Sequence, residues 1–185
     1  MLVLIIGGSG SGKSAYAEEY TVRISGEREK YYLATMQVFD EEGRKKIEKH
    51  RKQRSGKGFV TIEQQMSICE ALRKMDDFGK NPPEGRTALL ECMSNLVANE
   101  MFSGEMPNSW EAVTDKVVRE TELLDSKLEH LVIVTNNVFE DGMSYDETTM
   151  EYIKALGSTN ERLAAMADRV VEVVAGIPVI IKEGN

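Results

Sequence analysis

The stretch "LVLIIGGSGSGKS", residues 2 to 14, runs an unbroken apolar segment straight into a glycine and serine loop that ends in Lys13 and Ser14. A short continuous apolar run bounded by a turn signal reads as a strand buried on both faces. The loop, Gly7, Gly8, Ser9, Gly10, Ser11, Gly12, Lys13 and Ser14, has the spacing G-x-x-x-x-G-K-[ST]. Residues with little or no side chain let backbone N–H groups close around phosphate oxygens, and the helix that follows turns its positive N-terminus to the same anion. Lys13 then reaches the β and γ phosphates, and Ser14 offers its hydroxyl to magnesium. A chance glycine turn is the competing reading, but strand, loop and helical pattern follow in the order that phosphate binding requires.

Outward from this loop, short apolar runs alternate with longer helical patterns. "YYLAT" at 31 to 35, "FVTIE" at 59 to 63, "TALLEC" at 87 to 92, "LVIVT" at 131 to 135 and "VVEVV" at 170 to 174 read as strands. "KSAYAEEYTVRI", "SICEALRKM", "SWEAVTDKVVRETELLDSKL" and "YDETTMEYIKALGSTNERLAAMA" repeat their apolar residues at three and four and read as helices. The order predicts an α/β fold, P-loop NTPase-like and RecA-like, with a mostly parallel sheet, helices on both faces and ligands beyond the carboxyl ends of the strands. "VVEVVAGIPVIIK", with Gly176 and Pro178 between two apolar runs, reads as an antiparallel pair at the edge. The chain has 185 residues, 41% of them hydrophobic, which predicts a single catalytic domain over residues 1 to 185.

The net charge of -8 repels nucleic acid, anionic membrane and free nucleotide alike, so an anionic ligand has to be captured locally. No apolar run has the length of a membrane span, and "MLVLII" lacks the basic start and cleavage site of a signal peptide. Cys69 and Cys92 lie far apart without metal-ligand spacing, as expected of a cytoplasmic protein.

Two further features carry chemistry. Glu91 ends an apolar strand, where a magnesium site wants an acid; capping the following helix is its alternative role. Residues 44 to 57 hold Arg44, Lys45, Lys46, Lys49, Arg51, Lys52, Arg54 and Lys57 around His50. If residues 40 to 54 are helical, Ile47, His50, Arg51 and Arg54 share one face. Neighbouring cations disfavour a protonated imidazole, leaving His50 with a free lone pair, while the arginines suit a triphosphate. Attack by His50 on a nucleotide phosphorus fits this face. A solvated basic helix, or a basic patch for nucleic acid, would carry the same pattern; the acidic net charge and the lack of interleaved aromatics argue against nucleic acid. His130, directly before "LVIVT", reads as a loop or helix-end residue.

The phosphate loop, "KIEKHRKQR", "TIE", "LLEC", "IVTN" and "GSTNERLAAMADRVVEVVAGIPVIIK", in that order, resemble the bifunctional adenosylcobinamide kinase and adenosylcobinamide-phosphate guanylyltransferase family. The most specific part is C-terminal, with Gly157, Asn160, Leu163, Ala164, Ala167 and Asp168 before "AGIPV". The resemblance implies that His50, in the pattern I-x-x-H-x-x-x-R formed by Ile47, His50 and Arg54, becomes guanylylated. It implies nucleotide contacts from the phosphate loop, from Ala34, Thr35 and Met36, from His50, Arg51, Lys52 and Gln53 with Arg54 beside them, and from Glu63 and Glu91. It further implies GTP and ATP as substrates, adenosylcobinamide and its phosphate as acceptors, and a homotrimer, while the motif and the strand-end acid predict Mg2+ at Ser14 and Glu91, and the acidic charge predicts no nucleic-acid partner.

Three departures stand out. Gly10 takes a position where the family often has arginine, Phe59 one where it has tryptophan, and "TNNVFEDG" replaces N-E-V-G-x-G. Asn137 and Phe139 therefore keep a kinase without guanylyl transfer as the rival expectation. Met93, Met101 and Met106 read as core filling, with a corrinoid contact as the alternative.

Overall fold

The computed structural model describes residues 1–37, 54–78, 82, 85–137 and 145–184. Its strands are β1 (Leu2–Gly7), β2 (Lys30–Ala34), β3 (Phe59–Glu63), β4 (Thr87–Glu91), β5 (His130–Asn136), β6 (Arg169–Val174) and β7 (Ile177–Glu183). They form one seven-stranded sheet in the order β3-β2-β4-β5-β1-β6-β7. Every pairing is parallel except β6 with β7. The predicted α/β class, parallel sheet and antiparallel edge are thus what the chain forms, and Pro178 sits on β7, the solvent-open edge strand, where proline is tolerated.

The helices are α1 (Lys13–Ser25), α2 (Ala71–Phe78), α3 (Met93–Met101), α4 (Trp110–Asp125) and α5 (Glu147–Met166). Alternation along the strands sorts side chains onto the two faces of the sheet. Leu2 and Leu4 of β1 join Leu33, Leu90, Ile133 and residues of α2 to α5 in one core. Val3 and Ile5 join Tyr32, Leu89, Val132 and Val171 against Ala17 and Tyr20 of α1 in the other. Helices therefore cover both faces.

The helix α3 is the one expected directly after Glu91, and its signal is plain: Met93, Leu96, Val97 and Met101 recur at three and four and are all nearly inaccessible. Met93 and Met101 thus fill the core, whereas Met106 is exposed.

The C-terminal stretch shapes the sheet. Asn160 accepts a hydrogen bond from Thr135 Oγ1 at 2.7 Å and donates to the Asn136 carbonyl, which fixes the end of β5. Asp168 Oδ2 accepts from the Leu2 N–H at 2.7 Å and fixes the start of β1. Both ends of the β1–β5 pair are held by side chains from the most distinctive part of the sequence.

Candidate active site

β1 ends at Gly7, and the Ser11 N–H donates back to the Gly8 carbonyl at 3.2 Å to close the loop. Gly12 stands at φ 89° just before α1, a left-handed geometry that side chains resist. At Gly7 the constraint is space: a Cβ would lie 2.6 Å from Ser11 Oγ and 2.7 Å from the Val173 carbonyl oxygen. The turn between β6 and β7 braces the loop, because the Gly176 N–H donates to the Ser11 carbonyl at 2.8 Å. Gly8, Ser9 and Gly10 are exposed.

Lys13 is buried at the start of α1, and its ammonium donates to the Gly8 carbonyl at 3.0 Å. Burial pushes its pKa below the ordinary 10.5, while Cys92 and Glu91 pull the other way. The neighbouring Ser14 hydroxyl donates to Glu91 Oε1, so the start of α1 meets the end of β4. Hydroxyl and carboxylate oxygens are the hard donors magnesium prefers. Among the described residues no cluster of three or more His, Cys, Asp or Glu side chains could hold a metal. The pair therefore fits an ion that takes its remaining ligands from phosphate and water.

Thr35, just past β2, anchors Glu91 from the other side. Its N–H donates to the Glu91 carbonyl at 3.1 Å, and its hydroxyl exchanges 2.8 Å hydrogen bonds with the Cys92 carbonyl and N–H. Fully buried, Thr35 positions the acid, while its neighbours Ala34 and Met36 are half-buried. In the ladder Ala34 is the register partner of both Glu91 and Glu63, so three predicted site residues form a row across β4, β2 and β3. Glu63 is exposed at the far end of that row.

Ile47, His50, Arg51, Lys52, Gln53 and Phe139 lie outside the described residues. Arg54 lies inside them, and it is buried with its guanidinium carbon 3.4 Å from the centroid of the Tyr32 ring. Three residues on, Lys57 pairs with the buried Glu18 of α1 at 2.6 Å, and the Lys57 N–H donates to the Arg54 carbonyl. The end of the cationic stretch is thereby fastened to β2 and α1. Sequence reasoning missed Tyr32 and Glu18 as its anchors; Glu18 is buried while Glu19 beside it is exposed, a difference the adjacent pair of acids does not announce. Asn137 follows β5 beside the loop, its N–H donating to the Gly7 carbonyl at 3.2 Å.

A parallel sheet whose first strand runs into a glycine loop, with Lys13, Ser14 and an acid from β4, the next strand but one, converging there, defines a P-loop NTPase-like protein. Solved structures share that fold: an ATPase domain superposes with a TM-score of 0.56 at 12% identity, covering 92% of this chain and 68% of that one. The flagellar accessory protein FlaH from Methanocaldococcus jannaschii superposes with a TM-score of 0.50 at 14% identity, covering 99% and 78%.

Residues 3–181 match the family model described as "Cobinamide kinase / cobinamide phosphate guanyltransferase", and the chain belongs to that family. The "Bifunctional adenosylcobalamin biosynthesis protein CobU" of Escherichia coli is 31% identical over 98% of this chain and 100% of its own length. Its Salmonella typhimurium namesake is also 31% identical, with the same coverage. The "Bifunctional adenosylcobalamin biosynthesis protein CobP" of Pseudomonas aeruginosa is 26% identical over 97% of this chain and 96% of its own length. The chain is accordingly an enzyme with kinase and guanylyltransferase activity. No helix among the described residues is long and apolar enough to cross a membrane.

Proposed function

We propose that residues 1 to 185 form one catalytic unit that performs two successive phosphorus transfers in adenosylcobalamin biosynthesis. In the first, a nucleoside triphosphate, ATP or GTP, sits in the loop from Gly7 to Ser14 and its γ-phosphoryl passes to the hydroxyl of adenosylcobinamide. The Lys13 ammonium and the loop N–H groups neutralise charge on the transferred group, and positioning does most of the remaining work. Ser14 and Glu91 would hold Mg2+, which supplies charge neutralisation at the phosphates when bound.

In the second transfer, a lone pair of the His50 imidazole attacks the α-phosphorus of GTP. A nitrogen–phosphorus bond forms, the bond to the bridging oxygen breaks, and pyrophosphate leaves with that oxygen. The phosphate of adenosylcobinamide phosphate then attacks the same phosphorus, His50 leaves, and adenosylcobinamide-GDP results. Arg51 and Arg54 would offset the charge that builds on the α-phosphate, with Lys52 and Gln53 beside them.

The observation that carries this reading is the convergence of Lys13, Ser14 and Glu91 at the end of β1 and β4, in a chain that belongs to the family nearly end to end. The setting is a reducing cytoplasm. The assembly is a homotrimer, for which β7, with Ile177, Val179, Ile180 and Ile181 all exposed, offers an unused apolar edge.

The test is to incubate the protein and its His50→Ala variant with Mg2+ and GTP labelled at the α-phosphorus, denature, and measure bound label. Label on the native protein alone, lost in acid and stable in alkali, is expected. A folded protein that phosphorylates adenosylcobinamide yet takes up no label would establish the kinase-only alternative.

A further inference from the structure

Beyond the row Glu91, Ala34, Glu63, at the β3 flank of the sheet, lies an open cleft of about 430 Å³ lined by Gln37, Gln64, Gln65, Met66, Ser67 and Glu70. None of these residues is a lysine or arginine, so a phosphate finds no cation to pair with among them. Their chemistry is that of neutral amides and a hydroxyl, with one carboxylate and one thioether.

The wall of the cleft is held in a single shape. Asn99 Nδ2 donates to the Thr35 carbonyl at 2.7 Å and to the Gln65 carbonyl at 2.9 Å, tying the cleft to the segment that anchors Glu91. Ser67 stands at φ 48°, a left-handed conformation unfavourable for serine. It is held there because its N–H donates to Oε1 of the buried Glu100 at 2.6 Å, while Lys116 bridges Glu100 and Ser67 Oγ. Gln64 is 7% exposed, and its Nε2 donates to the carbonyls of Met66 and Ser67. Those two acceptors fix which end of the amide is nitrogen, and Gln64 Oε1 is left without a hydrogen-bond partner among the described residues. A strained, over-determined wall lined by amides and a hydroxyl is the arrangement of a recognition surface for hydrogen-bonding groups.

Position selects the ligand. Glu91 and Glu63 are two strand spacings apart, about 10 Å, so the cleft begins roughly that far from where a γ-phosphoryl group meets Ser14 and Glu91. A small alcohol bound at the loop would not reach it. A substrate whose hydroxyl sits on a short arm attached to a broad ring bearing primary amides would reach it, and would bring N–H donors and carbonyl acceptors together.

We infer that this cleft docks the amide-bearing rim of the corrinoid acceptor, with Gln37, Gln65 and Ser67 exchanging hydrogen bonds with its side-chain amides. The inference rests on the function proposed above and names the acceptor-binding residues for it. It assigns these residues to specificity and positioning: none of them touches the transferred phosphorus.

The test is steady-state kinetics of the phosphorylation step, varying cobinamide and nucleotide separately, for the native protein and a Gln37→Ala/Gln65→Ala double variant. Both side chains are half-buried, and thermal melting confirms that the variant folds. Expected is a rise in KM for cobinamide of about tenfold, the size of losing one or two neutral hydrogen bonds, with kcat and the nucleotide KM within about twofold. A second arm uses cobinamide with peripheral amides hydrolysed to carboxylates, which Glu70 should repel in the native protein. An unchanged KM for cobinamide overturns the inference, and a rise in the GTP KM instead assigns the cleft to the guanine base. If the native protein fails to phosphorylate cobinamide at all, the proposed function itself falls, a result distinct from either.

Discussion

The guanidinium of Arg54 sits over the Tyr32 ring, its carbon 3.4 Å from the ring centroid, while its Nε and Nη1 have no hydrogen-bond partner among the described residues. Cation–π attraction to this ring contributes about 0.5–2 kcal/mol to holding the buried guanidinium. The same ring explains why the Tyr32 phenol stays protonated: burial pushes its pKa up, Glu91 adds to this, and Arg54 opposes it.

From this follows a separation of stability from activity. Arg54→Met keeps an apolar stem against the Tyr32 ring and spares the cost of burying a cation, so thermal unfolding should show a Tm unchanged or raised. Transfer of label from α-labelled GTP should fall at least tenfold in the same variant. A large loss of Tm with full labelling would make Arg54 a structural residue.

The Ser14 to Glu91 hydrogen bond predicts a second separation. Glu91→Gln retains the size of the side chain but removes a negative donor suited to Mg2+. The expected outcome is a fall in kcat of about a hundredfold or more, with nucleotide affinity measured in EDTA changed little. Equal losses with and without Mg2+ would remove Glu91 from the metal site.

At Gly7 the effect is steric. An added methyl meets the Val173 carbonyl, a backbone atom of β6 that cannot swing away. Gly7→Ala should therefore destabilise by about 1–3 kcal/mol in urea unfolding and weaken nucleotide binding together. Gly8, where an added Cβ meets nothing within 4 Å, is the control, and Gly8→Ala should unfold at nearly the native urea concentration.

His130 predicts a pH dependence of stability. Burial lowers its pKa below the ordinary 6.5, Glu129 opposes this, and the N-terminal amine and Arg28 reinforce it. The unfolded chain therefore takes up this proton before the folded one does. The stability linked to His130 is complete above 6.5 and is lost as pH falls from there through the lower folded value. Urea midpoints measured from pH 8 to pH 5 should fall less steeply for His130→Asn than for the native protein; equal slopes would refute the assignment.

The local sequence determined the elements whose periodicity is local: β1 and its loop, the strands, α1, α4 and α5, and the antiparallel edge. It also marked Lys13, Ser14 and Glu91, because each belongs to a motif or strand end readable within a few residues. The helix α3 was equally legible, at spacings of three and four after Glu91. Only the tertiary structure decided what each of those residues faces. Pairing β2 with both β3 and β4 placed Glu63, Ala34 and Glu91 in one row, and packing α1 on the sheet put Glu18 against Lys57 and left Tyr32 as the platform for Arg54. The row joins residues remote in sequence, and the cleft beside it depends on contacts such as Asn99 with Thr35. Periodicity reports which side of its own element a residue occupies; what lies opposite is fixed when strands choose their neighbours and the chain closes over them.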